Sequence, residues 1–258
     1  MINKNLKKIA ILLLPTFFSV GCVVSAGNEI NRSSENEKNG KAGYEYFLFK
    51  GWGVGSSGTT TPISKNYSLT TRNVSSVSGT DVESYNDKCG LVLIKQDNSK
   101  RKTPVLNFAK EMDKVTNYGY DYYTANLKES KGEALNWVFN KNYTNDDQNC
   151  RVFLSTAGAD TGMMGGPVYN DNDELIGVII QTTNKLYLNN KDAEVKQVKD
   201  VNGNTVNIKE NYKPFDFNTT QEAPKTVSYS VFVPVQEIKD WLKEKVERGG
   251  DKLIFSQK

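Results

Sequence analysis

Apolar and polar positions along the chain alternate with the two-residue period of half-buried strands more often than with the period of helices. Residues 44–50 (YEYFLFK) read as a strand of strong aromatic β preference, and residues 51–56 continue it with glycines suited to a bend. Residues 59–66 read as a turn-rich connection and residues 67–74 (YSLTTRNV) as the next strand. Strands also follow at 87–95 (DKCGLVLIK), 115–120 (VTNYGY) and 150–155 (CRVFLS). In residues 129–139 Ser130 and Glu133 have capping-box spacing, which favours a helix, but Leu135, Trp137 and Phe139 alternate, and the segment is assigned as a strand. Asn202-Gly203 between strand-like arms predicts a hairpin over 195–208. Residues 227–233 form the last strand. Beyond Pro234, the residues Val235, Ile238, Trp241, Leu242 and Val246 make one apolar stripe at helical spacing, predicting a C-terminal helix over 235–248. Full burial of Trp241 would make its loss cost about 3–5 kcal/mol.

The first 42 residues have a different character. Lys4, Lys7 and Lys8 precede a short apolar run that contains Pro15 and ends in small residues, the pattern of a secretion signal over 1–21. Ser19-Val20-Gly21-Cys22 resembles a bacterial lipobox with serine in place of its usual leucine, which implies a lipid on Cys22. Val24-Ser25-Ala26 offers ordinary cleavage instead, and both readings stand. Residues 27–42 have one apolar side chain, Ile30, apart from alanine, and the segment 22–42 reads as a flexible tether. The folded part is placed at 43–258.

Composition removes several function classes. The chain has 258 residues and a net charge of +3, and shows no basic cluster interleaved with aromatics, so nucleic-acid binding is not expected. It has no histidine at all, which excludes imidazole as base, nucleophile partner or zinc ligand. No metal or cofactor is expected. With Cys22 lipidated or removed, Cys89 and Cys150 remain, and an even pair in an oxidising compartment suggests a disulfide.

The segment Thr161-Gly-Met-Met-Gly-Gly-Pro-Val168 lies between two strand-like runs. It resembles the nucleophile loop of the chymotrypsin-fold serine proteases, which reads Gly-Asp-Ser-Gly-Gly-Pro-Val in many members. Leu69-Thr-Thr-Arg-Asn-Val74 is similar to Leu-Thr-x-x-His-Val of the V8-like glutamyl endopeptidases. Residues 90–95 resemble their Asp-Leu-Ala-Leu-Ile-Lys strand, and residues 115–120 their Val-Thr-x-x-Gly-Tyr strand. The resemblance implies an all-β fold of two packed antiparallel six-stranded β-barrels with a C-terminal α-helix. Barrel 1 would occupy about residues 43–110, barrel 2 about 111–234.

The same resemblance places Asn73, Gly90 and Met164 at the positions of the catalytic histidine, aspartate and serine. An amide is no base near neutral pH, a glycine orients nothing, and a thioether has no proton to lose. Met163 stands where trypsin-like members keep the aspartate that receives the new N-terminus. Gly162 and Met164 retain the places of the oxyanion-hole N–H groups. Arg72 and Asp87 read as solvated side chains rather than substitute catalysts. Ile180-Gln-Thr182, in place of Ser-Trp-Gly, would narrow the specificity pocket. Three functions are carried forward. The first is an exported pseudoprotease of the bacterial cell envelope, lipid-anchored at Cys22, that binds a protein partner through the inter-barrel cleft or the 184–226 insertion. The second is a hydrolase using a lysine base with Ser155 or Thr161, and the third a structural surface lipoprotein.

Overall fold

The computed structural model describes residues 27–35, 39–48, 55–78, 80–122, 124–140, 150–184, 195–199, 205–209 and 228–257. The expectations for residues 1–26, including the signal and Cys22, and for the loop 142–149 lie outside them.

In chain order the strands are β1 (Asn31–Arg32), β2 (Gly43–Leu48), β3 (Gly55–Pro62), β4 (Tyr67–Thr71), β5 (Val82–Asn86) and β6 (Leu91–Lys95). They continue with β7 (Val105–Leu106), β8 (Lys114–Tyr120), β9 (Leu127–Asn140), β10 (Cys150–Ser155), β11 (Pro167–Asn170) and β12 (Leu175–Asn184). The last are β13 (Val195–Lys199), β14 (Thr205–Lys209), β15 (Ser228–Pro234) and β16 (Ile254–Phe255). Helix α1 (Arg72–Ser78) follows β4, and α2 (Val235–Leu242) follows β15 and runs on as a π-helical turn over Lys243–Glu247. Among the described residues the first unit is a five-stranded sheet, β2-β3-β4-β6-β5, in place of the expected six-stranded barrel. In the second unit β11-β8-β9-β10-β15-β12 closes through β12–β11 into a six-stranded antiparallel barrel. The class is the expected all-β one, with residues 127–140 a strand and the 195–209 arm a pair of antiparallel strands.

Two boundaries differ from expectation. Residues 59–62 are strand, not connection: the β-branched run Thr59-Thr-Thr61 is buried and pairs on both sides, with β2 and with β4. Strand β4 ends at Thr71, three residues earlier than expected. The Ser75 and Ser76 hydroxyls then bond back to the carbonyls of Arg72 and Asn73 within α1. Val74 sits over Gly58, where even a Cβ would come within 2.4 Å of its side chain, so α1 is seated directly on β3.

The two units share one apolar interior. Leu69, Leu91 and Leu93 of the first sheet cluster with Val152, Val178 and Val233 of the barrel and with Val235, Ile238, Leu242 and Val246 of the terminal helix. The helix is therefore wedged against both units, as its apolar stripe requires. Trp241 is only half-buried and donates its indole N–H to Ser84 Oγ of β5 at 3.2 Å, so it lies at the edge of this packing. The Cys89–Cys150 disulfide joins the turn before β6 to the start of β10. Its neighbours Lys88 and Arg151 both pair with the carboxylate of Glu237 on α2, whose side chain is 1% exposed; the Arg151 contact is 2.8 Å. A carboxylate buried with two cations avoids the cost of an unpaired charge.

The expected free tether is corrected over its described part. β1 pairs with β9 through Asn31↔Glu129 and Arg32↔Lys128. Asn28 donates its N–H to Thr156 O (2.7 Å) and its side-chain amide to Lys131 O (2.8 Å). Ser130 Oγ donates to Glu29 O (2.7 Å), and Ile30 packs on the barrel core. Further on, Ala42 is buried and Lys41 pairs with Asp173 across the Tyr169 ring. Polar composition concealed this because strand addition uses backbone groups, which every residue carries.

Candidate functional site

The glycine-rich turn leaves β10 through residues 156–160, makes one 3-10 turn at Thr161–Met163, and enters β11 at Pro167. Asp160 caps that turn: its Oδ1 accepts the Gly162 N–H at 3.0 Å. Burial, with the nearby Asp121 adding to it, raises the Asp160 carboxyl above the ordinary carboxylate range, while hydrogen bonds from Gly162 and Met163 pull the other way. Met163 is fully buried in the barrel core, and Met164 is half-buried at the same cluster. At Gly165 φ is +86°, and a Cβ would lie 2.2 Å from Thr59 O. Only glycine meets both demands.

Three threonines of the first unit hold this turn from the outside. Thr59 Oγ1 donates to Gly162 O (2.7 Å) and accepts the Tyr120 N–H (2.8 Å). The Thr59 N–H reaches Met164 O at 3.2 Å, and Thr61 Oγ1 donates to Gly165 O at 2.8 Å. Thr70 Oγ1, on β4, bonds Thr59 O at 2.9 Å. From the inside, Gly165 N–H donates to Ile179 O and Ile179 N–H to Gly166 O, both at 2.8 Å. Asp160 and the threonines went unnoticed in the sequence. The signal for Asp160 was a capping residue type two places before Gly162. For the threonines it was a β-branched run.

The other two aligned positions lie on the neighbouring rim. Asn73 is exposed in the first turn of α1. Gly90 turns the chain into β6 with φ +66°, and its carbonyl accepts the Arg72 N–H at 2.9 Å. Thr70 is the bridge from rim to turn, since it stands three residues before Asn73 and touches the place a Gly165 Cβ would fill. The fold thus gathers the segments of Asn73, Gly90 and Met164 in one region. Arg72 is exposed, pairs with Asp87 and lies over the Tyr85 ring at 5.1 Å.

The Gly162 N–H, expected to face an anion, meets a carboxyl of its own chain. Ser155 is fully buried in β10, and its Oγ accepts the Ala157 N–H at 3.0 Å. Among the described residues one group has cation-ligand geometry, Cys89, Cys150 and Glu237, with ligand atoms within 4.8 Å of one another. Its sulfurs are bonded to each other and its carboxylate is paired with Lys88 and Arg151. Gln181 and Thr182 are half-buried on β12, where the register against β15 shifts between Ile179 and Gln181. Of the tyrosines around 118–123, Tyr118 is buried edge-on to Tyr169, with burial pushing its hydroxyl up to about 12. Tyr120 packs on Tyr44, and Tyr122 is exposed.

No protein-family model matches the chain, and no curated protein matches it. Solved structures do. The Rv3671c protease from M. tuberculosis in its active form is similar with a TM-score of 0.54 at 13% identity, over 81% of this chain and 82% of that one. An HtrA-type protease, a variant of AlgW with a tripeptide, is similar with a TM-score of 0.54 at 12% identity, over 83% of this chain and 62% of that one. The chain therefore has the fold of trypsin-like serine proteases.

Proposed function

We propose that this chain is an exported bacterial pseudoprotease, nearest the V8-like branch, which is anchored by a lipid on Cys22 and binds a protein partner without cleaving it. The observation that carries the reading is chemical. The positions aligned with the nucleophile, base and orienting acid are Met164, Asn73 and Gly90, in a chain without histidine. None of these groups can generate an alkoxide. The burial of Ser155 argues against it as a substitute nucleophile. The investment in the turn supports a retained architecture: its backbone is held by threonines, an aspartate and glycines. The inter-barrel cleft and the 184–226 insertion are the surfaces offered to the partner.

A fluorophosphonate probe applied to the purified protein tests the chemistry, and no labelling is expected. Labelling that disappears in Ser155→Ala would establish a hydrolase instead. Recovery of a cross-linked partner from the producing cell tests the binding. It should fall when residues 195–209 are deleted if the insertion is the contact, and persist if the cleft is.

A further inference from the structure

The docked N-terminal segment sets the length of the leash. Five peptide units separate Cys22 from Gly27, and a chain of that length reaches at most about 18 Å. Gly27 is where the leash ends. It lies against the barrel with φ +85°, and a Cβ there would stand 2.7 Å from Ala157 O. The next residue, Asn28, is bonded to Thr156 and Lys131. A free spacer of the 21 residues from 22 to 42 would instead spread the anchor over a root-mean-square distance of about 25 Å in every direction.

We infer that in the lipid-anchored protein one end of the barrel, carrying Thr156 and Lys131, lies against the lipid surface, and that the disulfide end points away. This rests on the lipid-anchor reading of Cys22. The polarity follows from the strands. β10 starts at Cys150 and ends at Ser155, beside Thr156, so its ends stand about 17 Å apart. β15 runs antiparallel to it, with Ser155↔Ser230 and Phe153↔Phe232, so Pro234 and the start of α2 lie at the Cys150 end. The Glu237 pairing with Lys88 and Arg151 keeps the helix there. Exposed Lys131 and Lys114 are accompanied by exposed Glu133, Glu29, Asp171 and Asp173, so these groups give that end no excess of positive charge to draw it to a lipid surface. The leash, not charge, sets the orientation, and raising the salt concentration does not change it.

The test uses the full-length lipidated protein in phosphatidylcholine vesicles containing a doxyl-labelled lipid. A fluorophore is attached at Lys131→Cys or, on α2, at exposed Asp240→Cys; Cys89 and Cys150 are buried in their disulfide and the Cys22 sulfur is taken up by the lipid, so none of them competes. Quenching should be several-fold stronger at 131 than at 240, and a long Gly-Ser insertion after Ala26 should abolish the difference. Equal quenching without the insertion, with the lipid on Cys22 verified by mass spectrometry, overturns the orientation alone. Finding no lipid on Cys22 overturns the anchor reading, and the orientation with it.

Discussion

The turn that carries Met164 and the exposed rim formed by Arg72, Asn73 and Asp87 come together in this fold but are held differently. In the turn, four consecutive residues, 162–165, each have a backbone group in a hydrogen bond to a buried partner. At the rim, Arg72, Asn73 and Asp87 are exposed, and the Arg72–Asp87 pair sits in water. If both had been kept for one reaction, both would be expected to be held equally well. The difference indicates that the turn joins the two units through its backbone, a role that does not need the side chain at 164.

The comparison breaks if substitutions in the two regions cost the same. The largest effect is expected at Gly165→Ala. A left-handed backbone costs about 1–2 kcal/mol and relieving the contact with Thr59 O about 1–3 more. Urea unfolding should show a loss of about 2–5 kcal/mol, or no folded protein. Next comes Thr59→Val, which keeps the shape but strands the Tyr120 N–H and the Gly162 carbonyl. A loss of about 2–4 kcal/mol is expected; under 1 kcal/mol would mean that the turn does not rely on the first sheet.

Asp160 sharpens the comparison through pH. Its folded-state pKa is raised, mainly by burial. Between the ordinary carboxylate pKa of about 3.9 and the raised value, the native state holds a proton that the unfolded state has released. Stability contributed by this group is therefore present at low pH and declines as pH rises through that window. The difference in denaturation midpoint between the native protein and Asp160→Asn should carry this slope across the acidic range, since the opposite contributions of Asp97, Glu244 and Asp251 are common to both. A slope of the opposite sign would count against the assignment. The smallest effect is expected at the rim. Arg72→Ala removes an exposed pair and should cost less than about 1 kcal/mol. A loss as large as that of Thr59→Val would erase the contrast.

The residues of the fold most legible in the sequence were those whose side chains make the contacts. The alternation of Leu135, Trp137 and Phe139 outweighed a capping-box spacing, and the stripe Val235, Ile238, Leu242, Val246 gave the helix and its buried face. The paired cysteines were legible for the same reason. Trp241 was legible as part of the stripe but not in its depth, because periodicity reports direction and not distance from solvent. The turn was recognised by its glycines, yet its supports were not. Thr59 and Thr61 act on backbone atoms remote in sequence, Thr61 and Gly165 being 104 positions apart, whereas Asp160 caps a turn only two residues away that the glycine pattern does not mark. β1 was missed because its polar residues attach by main-chain bonds. Local pattern does not reveal which edge of a barrel lacks a neighbour.

That added strand has a consequence for the order in which the molecule is completed. Asn28 bonds a residue 103 positions later in the chain. A polypeptide that emerges from its N-terminus carries this segment first and finds its place for it only after β9 has appeared. Until then the groove beside Lys128 and Glu129 does not exist. A segment made early thus waits for a partner 103 positions later, and its seam cannot form before that partner exists.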